Sequence, residues 1–228
     1  MKPLHSKGFF YFLWFNFFNF MFMPVIEDFN VSSKTRYVLW EITENFETLF
    51  SGIELDLNSK QLLSQKKSEI HKNQFLAVRY LLQYLSIDLH NLNYDSLGKP
   101  FLENNYKISI SHSGLYVALI ISDTSVGIDI ETINDRILKI KSKFLETELN
   151  YPMELNTETS LVYWNIKESI FKAVEKSGID FKKNILVLPL DIKKNVVKSW
   201  YIDDNKIYSF DTCFKISKKF TLAFVIKN

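Results

Sequence analysis

The sequence predicts an α+β fold built as two successive halves, and three observations carry that reading. Two stretches with helical spacing of apolar residues stand one in each half of the chain. Each helix keeps company with short apolar runs bounded by turn residues, as strands are. Those runs follow one another closely, which suits antiparallel pairs rather than crossovers.

Taken in order, a strand is expected around Arg36–Ile42. A helix follows over about Ser68–Leu85, where Ile70, Ala77, Val78, Leu81, Leu82 and Leu85 share one face. Asp95, Gly98 and Pro100 mark a loop. Strands are expected over Tyr106–Ser111 and Tyr116–Ile121, joined through His112, Ser113 and Gly114, and then over Val126–Glu131. The second half repeats the order. It has a helix over Asn134–Leu149 ending near Pro152, and a second over Thr159–Lys176 with Gly178 as a stop signal. Strands then run over Asn184–Leu188, Val196–Ile202, Lys206–Phe214 and Phe220–Ile226, with Asp204 and Asn205 in a hairpin turn. The expected division is residues 1–23 as an atypical aromatic extension, 24–122 as the N-terminal half and 123–228 as the C-terminal half.

With 228 residues, 46% of them hydrophobic and 24% charged, the chain has the composition of a soluble globular protein with a sizeable core. A net charge of +2 gives no argument for nucleic acid. Lysines gather at Lys66, Lys67 and Lys72, at Lys139, Lys141 and Lys143, and at Lys182 and Lys183, as solvated faces or as a patch for a polyphosphate or an acidic partner. The single cysteine, Cys213, excludes an intrachain disulfide and a multi-cysteine metal site, and a reducing cytoplasm is the expected location. Between Gly8 and Met23 ten aromatic residues crowd together without a charge. A signal peptide lacks its small-residue cleavage site there, and Asn16 and Asn19 interrupt a spanning helix. Met23 is the expected start, so no membrane association is expected.

Four segments carry chemistry. In Val126-Gly127-Ile128-Asp129-Ile130-Glu131, strand alternation turns Val126, Ile128 and Ile130 to the core and Gly127, Asp129 and Glu131 the other way. Two carboxylates on one face repel unless a cation lies between them, and hard oxygen ligands suit magnesium. Gly127 would leave room for a ligand to approach the backbone, and Asp129 would be replaceable without loss of the fold. The alternative is a solvated strand face. In Trp164-Asn165-Ile166-Lys167-Glu168-Ser169-Ile170-Phe171-Lys172, Val162, Ile166, Ile170 and Ala173 form a core stripe. Glu168 lies nearly opposite, four residues from Lys172, so an exposed ion pair is the plainer reading. Ile110-Ser111-His112-Ser113-Gly114 reads as a polar hairpin or as a phosphate contact. Gly98-Lys99-Pro100 alone is only a turn. No phosphate-binding G-x-x-x-x-G-K-[ST], G-x-S-x-G or H-E-x-x-H is present.

In this order, the four segments resemble the 4′-phosphopantetheinyl transferase superfamily in its larger, surfactin-synthetase-activating type. The likeness covers roughly Leu57 to Leu188 and includes Phe75-Leu76-Ala77-Val78-Arg79, which resembles the family's F-L-A-x-R run. The resemblance implies two similar halves in a pseudo-twofold arrangement, with the active site between them. It implies transfer of phosphopantetheine from coenzyme A to a serine of an apo acyl or peptidyl carrier protein, including carriers of fatty-acid biosynthesis. By resemblance, Asp129, Glu131 and Glu168 would bind Mg2+, with Glu168 also the base and Lys172 neutralising or protonating the leaving 3′,5′-ADP. Lys99 and Pro100 would line the adenine pocket, Ser111 and His112 would meet the 3′-phosphate, and Lys167 and Arg79 would lie on the phosphate side. Glu148 stands where the family often has a glutamate. A monomer is implied. The alternative is a non-catalytic coenzyme A-binding or carrier-docking protein of the same fold, and a membrane-tethered protein would rest on residues 8–23 alone.

Overall fold

The computed structural model describes residues 25–228 apart from 97, 104, 105 and 204. The aromatic run, the start at Met23 and Asp204 of the expected turn lie outside them. The first sheet is antiparallel and four-stranded, in the order β1 (Val25–Asn30), β2 (Arg36–Glu41), β6 (Tyr116–Ser122), β5 (Lys107–Ser113). The second is antiparallel and five-stranded, in the order β7 (Val126–Thr132), β11 (Phe220–Lys227), β10 (Lys206–Ile216), β9 (Val196–Asp203), β8 (Ile185–Val187). A small ladder of β3 (Leu92–Tyr94) and β4 (Pro100–Leu102) stands beside the first sheet.

Each sheet carries one long helix. α3 (Glu69–Tyr84) starts at Ser68, whose hydroxyl accepts the His71 N–H and satisfies one of the first-turn donors. Its buried stripe of Phe75, Leu76, Val78, Leu81 and Leu82 meets Val38, Trp40, Val117 and Leu119 of the first sheet. α5 (Thr157–Ala173) is capped by Asn156, which accepts the Thr159 N–H. Its Val162, Ile166 and Ile170 meet Tyr201, Phe210, Ala223 and Val225 of the second sheet. α1 (Phe46–Ser51) and α2 (Leu57–Ser64) complete the first half, and α4 (Arg136–Ile140) and α6 (Phe181–Asn184) the second. No helix among the described residues is long and apolar enough to cross a membrane.

Strand alternation gives each sheet a second buried face, and these two faces meet. Tyr37, Leu39, Tyr116, Ala118 and Ile120 of the first sheet pack on Val126, Ile128, Ile130, Phe220, Leu222 and Phe224 of the second. The layers therefore run helix, sheet, sheet, helix, and the expected two-half α+β architecture is present.

Two expectations are corrected. Residues 134–149 do not form one helix. α4 ends at Ile140, and tight 3-10 turns at Lys141–Lys143 and Thr147–Asn150 follow. That break lets Ile137, Phe144 and Leu145 all reach the core. The following helix stops at Ala173, five residues before Gly178. Val174 leaves the helical conformation with ψ at 95°, as a β-branched residue readily does.

Candidate active site

The site is built where β7 lies between β5 and α5. Its first determinant is Gly127. A Cβ there would sit 1.8 Å from the Ser169 carbonyl oxygen, so the glycine lets α5 press against the strand. The expectation that Gly127 opens the backbone to a ligand is thereby corrected, because a helix fills that space.

The same closeness buries Asp129, which is 4% exposed. Its carboxylate accepts from Ser111 Oγ at 2.7 Å, Asn165 Nδ2 at 2.8 Å and Lys172 Nζ at 2.7 Å. Those donors come from β5 and from α5, so Asp129 ties both halves together. It is not on a solvated strand face, and its replacement is not neutral for the fold, because three donors would lose their acceptor.

Glu131, two residues on, accepts from Ser113 Oγ at 2.8 Å. Burial raises its carboxyl above the usual range, the Asp129 charge adds to this, and hydrogen bonds from Ser113 and Trp164 oppose it. Glu168, across from the pair on α5, is pushed up to about 7 by burial first and then by the charges of Asp129 and Glu131, against the pull of Lys172. A carboxyl that titrates near neutrality is suited to take a proton and return it. Lys172 does not form the ion pair with Glu168 that its spacing suggested. Its ammonium donates to Asp129 and, at 3.0 Å, to the Ile128 carbonyl.

By chemistry this donor set fits a hard divalent cation. Carboxylates that drive one another toward protonation gain most from a cation. Among the described residues, no three His, Cys, Asp or Glu side chains converge in a ready-made cage. Magnesium requires none, because it binds through one or two carboxylates and completes its shell with phosphate and water.

Two cavities flank β5 and β4. One of about 700 Å³ is lined by Lys66, His71, Gln74, Arg79, Pro100 and His112. Arg79 is 3% exposed and lies over the Phe75 ring, 3.3 Å from its centroid, with Tyr94 Oη 3.4 Å away. Burial lowers its pKa, and it forms no ion pair with a carboxylate among the described residues. A buried guanidinium without a counter-ion, facing a cavity, favours an anionic ligand. His112, on the same wall, is an exposed residue. Desolvation of its ring lowers its pKa, and the nearby Lys172 and Lys66 ammonium groups add to the effect. The second cavity, of about 970 Å³, is lined by Lys99, Pro100, Phe171, Lys172 and Glu175 among others. Lys99 reaches Glu175 at 3.5 Å across it.

Two further expectations are corrected. Lys167 does not face a ligand: it is 0% exposed and pairs with the buried Glu148 at 2.9 Å. Its remaining protons go to the carbonyls of Phe181 at 2.9 Å and Ile185 at 2.8 Å. Ser111 is buried as well, donating to Asp129 and accepting the Ile130 N–H at 3.3 Å, so it has no hydrogen left for a phosphate. Sequence reasoning missed Ser113, Asn165, His71 and Gln74. The alternating serines of Ile108-Ser109-Ile110-Ser111-His112-Ser113 were the available signal for the first, since period-two hydroxyls mark one strand face.

Residues 125–225 match the family model of the 4′-phosphopantetheinyl transferase superfamily. Over 110 residues the chain is 34% identical to the 4′-phosphopantetheinyl transferase gsp of Aneurinibacillus migulanus, an alignment covering 45% of this chain and 46% of that protein. The chain thus spans about half the length of this curated relative. The matched segment holds Asp129, Glu131, Glu168 and Lys172, and it leaves the Arg79 cavity to the other half.

Proposed function

Because residues 125–225 match the family model of the 4′-phosphopantetheinyl transferase superfamily, we propose that the whole chain transfers 4′-phosphopantetheine from coenzyme A to a serine of an apo acyl or peptidyl carrier protein. The observation that carries this reading is the cluster of Asp129, Glu131, Glu168 and Lys172. It lies at the junction of the halves, beside a cavity with a buried arginine that has no carboxylate partner among the described residues.

The Arg79 cavity takes the nucleotide end of coenzyme A, with Lys66, His71, His112 and Pro100 at its wall and Lys99 in the adjoining cavity that shares Pro100. Mg2+ is the divalent cation, held by Asp129, Glu131 and Glu168, and when bound it neutralises the pyrophosphate and the charge that develops on it. The carrier serine attacks the phosphorus next to the pantetheine arm. The bond to the 3′,5′-ADP oxygen breaks, and the serine proton passes to Glu168, directly or through water. Lys172 changes partners from Asp129 to the departing phosphate oxygen. Phosphoryl transfer needs alignment and charge neutralisation more than covalent help, and these residues supply both. The protein works as a monomer in the cytoplasm, without a membrane or nucleic acid.

The test is the mass of apo-carriers after incubation with the protein, Mg2+ and coenzyme A. One added phosphopantetheine per carrier, with release of 3′,5′-ADP, is expected. If several apo-carriers keep their mass while coenzyme A still binds, a non-catalytic binding protein of the same fold is the better description.

A further inference from the structure

β5 and β7 are edge strands of different sheets, and serine side chains join them. The Ile128 N–H donates to Ser109 Oγ at 3.1 Å, Ile130 N–H to Ser111 Oγ at 3.3 Å and Thr132 N–H to Ser113 Oγ at 3.1 Å. A hydroxyl that accepts an amide still has one proton to give. Ser111 gives its proton to Asp129 and Ser113 gives its proton to Glu131 at 2.8 Å. The third serine, Ser109, bonds the amide that follows Gly127, where β7 offers no carboxylate. One strand thus carries the same joint three times, twice with an acid to orient and once without.

We infer that Ser113 is a positioning residue for Glu131, fixing that carboxylate from the opposite half so that it meets the cation and pyrophosphate in one rotamer. The inference rests on the metal-dependent transferase reading above. Glu131 needs such a partner. It is only part-buried and its charge is opposed by Asp129, so with Ser113 gone only Trp164, on its own half, would hold it, and its side chain would be free to turn toward water. The Ser113 hydroxyl also lies 3.3 Å from Thr132 Oγ1, which keeps it from rotating freely.

The test compares Ser113→Ala, Ser113→Thr and Ser109→Ala with wild type. Each alanine variant removes one rung between the sheets, so their thermal melts should fall by similar amounts. Mn2+ uptake by the full chain, followed through the electron spin resonance of the free ion, should separate them. Ser113→Ala is expected to bind Mn2+ about tenfold or more weakly, on the scale of losing an outer-shell partner of a metal ligand. Ser109→Ala is expected to bind it as wild type does, and Ser113→Thr to restore it. In the transfer assay Ser113→Ala should lower kcat and leave the KM for coenzyme A nearly unchanged. Equal Mn2+ affinity in Ser113→Ala and Ser109→Ala overturns the inference, as does a wild type that takes up no Mn2+. A wild type that binds Mn2+ with the expected Ser113 dependence but modifies no carrier supports the positioning role and sinks the transferase reading instead.

Discussion

Replacing Lys167 by methionine should damage the fold rather than the binding of coenzyme A. Methionine keeps most of the side-chain volume, so the loss is electrostatic. Lys167 and Glu148 are 0% and 1% exposed and 2.9 Å apart, and burial alone lowers the lysine pKa while Glu148 holds it up. Without the ammonium, Glu148 keeps only the backbone N–H groups of Glu146 at 3.2 Å and Val187 at 3.3 Å. The carbonyls of Phe181 and Ile185 lose a donor as well. Removing one partner of a buried pair costs about 3–5 kcal/mol, and each orphaned acceptor about 1–3 kcal/mol before local relaxation. A net loss of about 4 kcal/mol is expected. At roughly 2–4 °C per kcal/mol for a chain of this size, the melting temperature should fall by about 8–16 °C. Lys167→Met with Glu148→Gln should recover at least ~1 kcal/mol of the sum of the single changes, because the buried charge is gone. Urea unfolding of the three variants at fixed pH gives the numbers, and the KM for coenzyme A of Lys167→Met below its melting point gives the contrast. A stability within ~1 kcal/mol of wild type together with a raised KM would refute this reasoning and return Lys167 to the ligand.

Gly127→Ala should cost about 3 kcal/mol, as overpacking does, because its methyl would meet the Ser169 carbonyl at 1.8 Å; a denaturant midpoint equal to wild type would show that α5 has room to shift. Glu168 titrates near 7 in the folded protein against 4.5 ordinarily. Between those values the folded state holds the extra proton, so metal-free stability should fall as pH rises from about 4.5 to 7, by up to ~3 kcal/mol. Mg2+ should offset more of that loss at pH 8 than at pH 5, and an unchanged pH slope in Glu168→Gln would remove Glu168 as its source. Asp129→Asn keeps acceptor oxygen for Ser111 but removes the charge facing Lys172. Its turnover should fall at least ~100-fold, on the scale of losing a main electrostatic element, and wild-type turnover with wild-type magnesium dependence would exclude Asp129 from the metal site.

The long helices and the hairpin strands were legible because periodicity and caps agree there. Ser68 caps α3 within one residue of its expected start, and β9, β10 and β11 fall within two residues of their expected bounds. β1, α1 and α2 were not, since short elements carry too few apolar positions to fix a period. The helix expected over 134–149 was bounded only by the stop near Pro152, which does not distinguish a straight helix from a short one followed by 3-10 turns. In the site, the alternation around Asp129 read correctly as two faces, yet a face turned from one core can belong to another layer, as α5 shows. Lys167 shows the same limit. Whether a lysine faces water or a buried glutamate is settled by Glu148, which reaches it from a separate turn.

The apolar seam between the two sheets bears on how the proposed carrier would be admitted. Leu39, Ala118 and Ile120 close on Ile128, Ile130 and Leu222 with almost no exposure on either side. Opening the halves like jaws would wet all of that surface at once, at about 25 cal/mol for each Å². The spacing of β5 and β7, and with it the placement of the carboxylates, is therefore set when the chain folds. If the chain is the proposed transferase, its carrier would have to bring the serine to that fixed site on a protruding loop or helix end. Phe101, Tyr106 and Phe171, at the wall of the larger cavity that also holds Lys172, are left exposed. Under that reading these outer side chains, and not the interior, would set the range of accepted carriers.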